Sequence, residues 1–233
     1  MAVFARDGVR IRYEVHGEGP PLLMIAPGGM RSALEYWDRL PLDLVGFLAE
    51  THRVITMDQR NAGESTAPVT PTDGWDSYTA DQLALMDHLG VERFAVVGMC
   101  IGGAYIANLC RHAPERIERA VMLQPIGLDD NRDAFVELFD GWAAELKPDR
   151  DASDADWAAF GAHMFGGEFL FAATHEQVAS IETPLLVCMG DDHYHPSSIS
   201  RAIVELAPHA TLLEHWKQPE HHAAFTAALR DFL

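Results

Sequence analysis

The chain has 233 residues and carries 35 acidic against 17 basic side chains, which gives a formal net charge of -18. Such a charge repels phosphate backbones and anionic lipids, so we expect neither a nucleic-acid partner nor a membrane partner. No apolar run approaches the roughly 18 residues that a membrane span needs, and three scattered cysteines predict a reducing, cytoplasmic location without a disulfide framework.

Short strand-like runs alternate with helix-like runs along most of the sequence. Period-two alternation, or a short apolar run between turn residues, predicts strands over residues 9–16, 21–26, 53–57, 94–98, 119–124, 184–189 and 211–216. Helix-like runs cover residues 79–90, 101–114, 197–208 and 219–233. In the first helix, Thr79 is the predicted N-cap and Gly90 the stop. Apolar strands separated by helices predict an α/β fold, with a mostly parallel sheet covered by helices on both faces.

A cysteine stands between glycines where the predicted strand 94–98 gives way to a helix, in the run GMCIG. Ligands bind beyond the carboxyl ends of the strands in an open parallel sheet, so a functional residue is expected here. A nucleophile on a tight strand-to-helix turn needs small residues two positions to either side, and Gly98 and Gly102 provide them. The run therefore predicts that Cys100 is a nucleophile, although a lone cysteine among apolar neighbours is more often an inert core residue.

The run GMCIGG resembles the nucleophile elbow of the α/β-hydrolase fold family, with cysteine in place of the usual serine. The segment VITMDQRNAGEST is similar to the segment that follows the family's fourth strand, and PGGM lies where the family's oxyanion loop is expected. The resemblance covers about residues 9–233, and a cysteine nucleophile within this fold is similar to that of dienelactone hydrolase. The resemblance to the α/β-hydrolase fold family implies a hydrolase core over residues 1–126 and 182–233, with a short helical lid over residues 127–181.

The same resemblance implies a catalytic triad in the order nucleophile, acid, histidine. Asp192, in the run GDDHYHP after the strand 184–189, is the expected acid, and Asp191 is the alternative. His221, in the run KQPEHH after the last strand, is the expected histidine, and His222 is the alternative. His215 is predicted to lie within the last strand.

An oxyanion hole completes the expected site. The N–H group of Ile101, at the start of the helix that follows Cys100, is one expected donor. The second donor is Gly28 or Gly29, both in the run PGGM. We expect no cofactor and no metal, because the histidines of residues 193–222 lack the helical spacings of metal sites.

The lid segment (residues 127–181) points to the substrate. It contains six of the 11 phenylalanines and two of the five tryptophans, and it carries 12 acidic against three basic residues. We expect Phe139 and Trp142 of this segment, together with Tyr194, to contact substrate. An acidic lid disfavours polyanionic substrates such as coenzyme A thioesters.

These features predict a hydrolase that cleaves a small neutral ester or lactone, or a thioester by the same chemistry, through a Cys-His-Asp triad and an acyl-cysteine intermediate. Two alternatives stay open at this point. The same pocket could serve a non-catalytic ligand-binding or signalling member of the fold, or an acyl transferase in which another acceptor replaces water.

Overall fold

The computed structural model describes residues 2–233, and an eight-stranded sheet lies at its centre. The strands are β1 (Ala2–Arg6), β2 (Val9–His16), β3 (Pro21–Ile25), β4 (Arg53–Met57), β5 (Phe94–Met99), β6 (Ile117–Leu123), β7 (Leu185–Cys188) and β8 (Ala210–Leu213). Seven of them correspond to the predicted strands. The first strand, β1, was not predicted; it is a short edge strand that pairs only with β2.

The strands are ordered β1-β2-β4-β3-β5-β6-β7-β8 across the sheet. Only the pairs β1–β2 and β2–β4 are antiparallel, and the pairs from β4 to β8 are all parallel. The prediction of a mostly parallel α/β sheet is therefore confirmed. The carboxyl ends of β3, β5, β6 and β7 lie side by side, so the loops that follow them meet at one edge of the sheet.

Eight helices accompany the sheet. They are α1 (Leu44–Ala49), α2 (Trp75–His88), α3 (Ile101–His112), α4 (Arg132–Leu146), α5 (Asp154–Phe165), α6 (His175–Ala179), α7 (Ser197–Leu206) and α8 (His222–Phe232). None of the helices among residues 2–233 combines the length and the apolar character needed to cross a bilayer.

The side chains of β3 show how the helices cover both faces. Leu23 and Ile25 belong to the core that includes residues of α2, α3 and α7, whereas Leu22 and Met24 belong to the core that includes residues of α1 and α8. Successive strand side chains point to opposite faces, so a strand that is buried on both faces must be apolar throughout. This requirement explains the continuous apolar runs in the sequence.

Two predicted boundaries are wrong. Helix α2 begins at Trp75, four residues before the predicted N-cap Thr79. Its first turn is stabilised by tertiary contacts, since the indole of Trp75 is buried, packs edge-on against Tyr105 and donates a hydrogen bond to the Met164 carbonyl at 2.8 Å. Strand β8 ends at Leu213, so His215 lies in the following loop.

The lid segment contains helices α4, α5 and α6 and no strand. Helix α5 begins with a capping box, in which Ser153 and Asp156 satisfy each other's backbone N–H groups. Helices α4 and α5 pack against each other through a buried aromatic cluster of Phe139, Trp142, Trp157 and Phe160. Most of the aromatic residues that the sequence concentrates here therefore hold the lid segment together.

Two helical glycines should respond oppositely to alanine. A Cβ at Gly103 of α3 would lie 2.5 Å from Cβ of Pro125, whereas a Cβ at the exposed Gly141 of α4 meets nothing within 4 Å. We expect Gly103→Ala to lower the free energy of unfolding by about 1–3 kcal/mol through overpacking. Gly141→Ala should raise it by roughly 0.5–1 kcal/mol through lower backbone entropy of the unfolded chain. Urea denaturation measures both, and a stable Gly103→Ala variant would contradict this packing.

Candidate active site

Cys100 occupies the turn between β5 and α3, with a backbone φ of 61° and ψ of -115°. A non-glycine residue in such a conformation costs about 1–3 kcal/mol and persists only where its surroundings enforce it. Here the Cys100 N–H donates to the Leu123 carbonyl at 2.9 Å, and the Cys100 carbonyl accepts from Ile126 N–H at 3.2 Å. These hydrogen bonds fix the turn to the segment around the end of β6.

The glycines around Cys100 permit close packing at this turn. A Cβ at Gly98 would lie 2.7 Å from the Gly102 carbonyl oxygen, and a Cβ at Gly102 would lie 3.0 Å from the Ile25 carbonyl oxygen. Glycine at both positions lets the start of α3 approach the ends of β3 and β5. The predicted strand-to-helix turn with a projecting thiol is thus present.

Two backbone N–H groups lower the pKa of the Cys100 thiol. One belongs to Ile101, the first residue of α3, and the other to Gly28, which follows β3. Gly28 has a φ of 119°, a conformation that L side chains rarely adopt. Between the two candidates that the sequence left open, the geometry favours Gly28 over its neighbour Gly29.

His195 and Asp192 lie together on the loop after β7. The His195 Nδ1 atom is 2.7 Å from Oδ1 and 2.9 Å from Oδ2 of Asp192, so the ring N–H donates to the carboxylate. Oδ1 of Asp192 also accepts from the backbone N–H groups of Tyr194 and His195, each at 3.0 Å. The loop folds back closely over Gly190. A Cβ at this position would lie only 2.2 Å from the His195 carbonyl oxygen, so the fold of the loop requires glycine here.

The other ring nitrogen of His195, Nε2, is buried and has no hydrogen-bond partner among residues 2–233. Cys100 and His195 line the same cavity, and the two side chains affect each other's ionisation. Hydrogen bonds between catalytic groups are often long in the unliganded protein and shorten when substrate binds.

The electrostatics of this contact favour a charged pair. Burial raises the pKa of the Cys100 thiol, but His195 and the N–H groups of Gly28 and Ile101 together hold that pKa below its ordinary value of 9.0. Burial lowers the pKa of His195, but Cys100 and Asp192 together raise it above its ordinary value of 6.5. The neighbouring groups therefore shift the thiol toward its thiolate form and the imidazole toward its imidazolium form.

The structure does not bring the predicted His221 to the thiol. The His221 ring stacks on His215, with the ring centroids 5.3 Å apart, in the loop between β8 and α8. Nε2 of His222, the alternative, is 3.0 Å from the Lys217 carbonyl oxygen. Asp191, the alternative acid, forms an exposed ion pair with Lys217. The imidazole beside Cys100 belongs to His195, which sequence reasoning did not select.

A cavity of about 280 Å³ opens above Cys100 and His195. Its walls are apolar apart from Tyr194, Cys100 and His195, and the remaining lining residues are Gly28, Gly29, Met30, Ile101, Ile126, Phe135, Leu138 and Phe165. Among residues 2–233, no Lys, Arg, Asp or Glu side chain lines it. The cavity therefore suits a small uncharged group.

Of the three residues predicted to contact substrate, Tyr194 lines this cavity. Phe139 and Trp142 do not; both are buried in the contact between α4 and α5, and the Trp142 indole is 3.2 Å from the Asn61 carbonyl oxygen. Helix α4 instead presents Phe135 and Leu138 to the cavity. Periodicity alone does not tell which face of this aromatic helix is turned toward the cavity.

One sequence signal could have indicated His195. It follows Asp192 by three residues in a short loop that begins with Gly190 and ends with Pro196. An Asx turn places the side chain of the first residue beside the backbone two or three residues later. That geometry lets one short loop present a carboxylate and an imidazole together.

Comparison with known proteins agrees with this architecture. A family model described as the alpha/beta hydrolase fold matches residues 21–156, more than half of the chain. The chain is 31% identical over 164 residues to a non-heme haloperoxidase from Rhodococcus erythropolis, an alignment that covers 67% of this chain and 58% of the relative. The chain thus spans little more than half the length of this curated relative.

Solved structures show the same fold. A mutant of the meta-cleavage product hydrolase from Pseudomonas fluorescens IP01 superposes with a TM-score of 0.74 at 21% identity, covering 100% of this chain and 97% of the other. The enol-lactonase from Burkholderia xenovorans LB400 superposes with a TM-score of 0.73 at 21% identity, covering 99% of each chain. At these identities the likeness establishes the fold.

The three cysteines should differ sharply in reactivity toward iodoacetamide. Burial raises the pKa of Cys110 to about 12 and also raises that of Cys188, whereas the pKa of Cys100 lies below 9.0. At pH 8 the thiolate fraction of Cys110 is therefore far smaller than that of Cys100. Peptide mapping after brief alkylation should therefore find the label on Cys100.

The pH dependence of that alkylation identifies the partner of the thiol. In the wild type, the rate should reach half its maximum below pH 9.0. His195→Ala removes a group that stabilises the thiolate but leaves the Cys100 thiol buried. The alkylation profile of this variant should therefore move to higher pH. His221→Ala is the matched control and should leave the profile in place. The interpretation fails if His221→Ala moves the profile and His195→Ala does not.

Proposed function

The chain belongs to the α/β-hydrolase fold family, and on this basis we propose that it is a hydrolase that cleaves small neutral esters or lactones through an acyl-cysteine intermediate. One observation carries the proposal. The Cys100 thiol and the His195 imidazole line one apolar cavity together with Gly28 and Ile101, whose N–H groups act on the thiol, and the Asp192 carboxylate binds the imidazole. Nucleophilic acyl transfer needs this set of groups.

The first half-reaction would form a thioester. Sγ of Cys100, as the thiolate, attacks the carbonyl carbon of the substrate, and the electron pair of the C=O bond moves to the oxygen. The N–H groups of Ile101 and Gly28 stabilise that oxyanion by hydrogen bonds. When the oxyanion collapses, the bond to the leaving oxygen breaks, and His195 Nε2–H gives its proton to the departing alkoxide. A lactone would leave its hydroxyl on the same molecule.

The second half-reaction would release the acid. The neutral His195 now takes a proton from a water molecule, whose oxygen attacks the thioester carbonyl. Collapse of the second oxyanion expels the Cys100 thiolate and leaves the imidazolium, which restores the starting pair. Asp192 stays ionised in both steps; it holds the Nδ1–H tautomer and stabilises the positive imidazole.

The cavity supports the proposed class of substrate. Its walls offer apolar surface from Ile126, Phe135, Leu138 and Phe165 and no cationic side chain to pair with a phosphate or carboxylate. The lid segment beside it carries 12 acidic against three basic residues, so its field repels anions. A volume of about 280 Å³ accommodates a short acyl group or a small ring.

Variants of the three residues test the proposal in a p-nitrophenyl acetate assay. Cys100→Ala should abolish turnover, and His195→Ala should lower kcat/KM by roughly 10²–10⁴-fold. Asp192→Asn should also lower it, because an amide would favour the wrong imidazole tautomer. Asp191→Asn and His221→Ala are matched controls next to the site, and each should stay within about twofold, as expected when only exposed contacts are lost.

Intact mass measured during turnover tests the intermediate itself. An acyl adduct that maps to Cys100 and accumulates in His195→Ala is the expected result, since deacylation also needs the base. Turnover that persists in Cys100→Ala would contradict the proposal. Release of free acid distinguishes hydrolysis from transfer to another acceptor, and binding without any turnover would favour a ligand-binding member of the fold.

A panel of esters tests the substrate class. We expect kcat/KM to fall as the acyl chain lengthens beyond the cavity, and to fall when a neutral ester is replaced by its carboxylate-bearing analogue. The difference between neutral and charged esters should shrink at high salt, because salt screens the field of the lid segment. Preference for acetyl-coenzyme A or for the carboxylate esters at low salt would contradict this assignment.

A further inference from the structure

We infer that Asn131 is a positioning residue that locks the acid–base loop (residues 190–196) against the lid segment. Asn131 directly precedes helix α4 and is only 2% exposed. Its Nδ2 atom donates to the His193 carbonyl at 2.8 Å and to the Gly127 carbonyl at 3.1 Å. Its Oδ1 atom accepts from the Asp129 N–H at 3.0 Å. This inference rests on the proposed function of the loop.

The acid–base loop needs an external support. It contains no helix or strand. Hydrogen bonds within the loop hold His195 against Asp192, but they do not fix the pair relative to Cys100, which lies on another loop. His193 stands between Asp192 and His195, so a hydrogen bond to its carbonyl holds the segment that carries both side chains.

Two other contacts hold the loop. The Gly190 N–H donates to Ser200 Oγ at 3.1 Å, which fixes where the loop begins but not the segment that carries Asp192 and His195. The other contact is an exposed ion pair. Lys217 of the β8–α8 loop pairs with Asp191, but the Asp191 side chain is 56% exposed. Exposed ion pairs contribute little, typically about 0–1 kcal/mol. The hydrogen bond from Asn131 is buried, and a buried polar group that loses its partner carries the cost of desolvation. Asn131 is therefore expected to dominate the position of the loop.

The chemistry of the carboxamide suits this place. Two carbonyl oxygens require donors and one N–H group requires an acceptor, and a carboxamide provides both kinds of group in one plane. A carboxylate of the same shape would place its oxygen against the carbonyls of His193 and Gly127. Asn131 forms hydrogen bonds only to backbone groups, and the charged groups that act on His195 are Cys100 and Asp192. Asn131 would therefore affect catalysis by fixing where Asp192 and His195 lie relative to Cys100.

The experiment uses Asn131→Ala and the isosteric Asn131→Asp in the 233-residue chain, with Lys217→Gln, which removes the ion pair to Asp191 of the acid–base loop, as the matched control. Three quantities are measured for each: kcat and KM for p-nitrophenyl acetate, the pH profile of Cys100 alkylation by iodoacetamide, and the midpoint of thermal unfolding. A displacement of about 1 Å in a catalytic group can cost roughly 100-fold in rate. We therefore expect both Asn131 variants to lose roughly 10- to 100-fold in kcat with little change in KM.

Both variants should also move the alkylation profile of Cys100 to higher pH, toward that of His195→Ala, while Lys217→Gln keeps the wild-type kcat and profile. A lower thermal midpoint with unchanged kcat and unchanged profile would overturn the inference, because it would show a purely structural role. An equal effect of Lys217→Gln would also overturn it. The alkylation profile needs no substrate, so the inference can fail or succeed separately from the proposed hydrolysis.

Discussion

The Cys100 thiol faces the His195 imidazole at the carboxyl edge of the sheet, and each group changes the ionisation of the other. Burial opposes a charge on either group alone, and each charged group stabilises the charge on the other. The strained turn at Cys100, the tight packing at Gly98 and the folded loop of Asp192 all serve to maintain this contact.

A single short loop carries both the acid and the base. Asp192 and His195 are only three residues apart, so the geometry between them depends on one turn and not on the packing of two separate loops. The loop after β8 therefore need not provide the histidine. Its His215 and His221 stack on each other, and His222 contacts the Lys217 carbonyl oxygen. The relation of the pair to the nucleophile then depends on contacts such as that of Asn131.

The sequence predicts the elbow well and the histidine poorly, for physical reasons. Glycines at fixed spacing around Cys100 are a local steric requirement, so they can be read directly from the chain. The choice between Gly28 and Gly29 depends on the direction of one N–H group, which composition does not encode. His221 followed from the family's usual order, whereas the position of His195 depends on how one loop folds back over Gly190. Likewise, whether Phe135 or Phe139 reaches the cavity depends on the rotation of α4.

The ionisation of His195 gives the most direct test of the central contact. Its pKa can be followed by NMR titration of the imidazole in the wild type and in Cys100→Ser, which replaces the thiol with a hydroxyl that does not ionise in this range. The account predicts a pKa above 6.5 in the wild type, where the thiolate stabilises the imidazolium, and a lower pKa in Cys100→Ser. The same pKa in both proteins would contradict the account, because it would show that the two side chains do not interact.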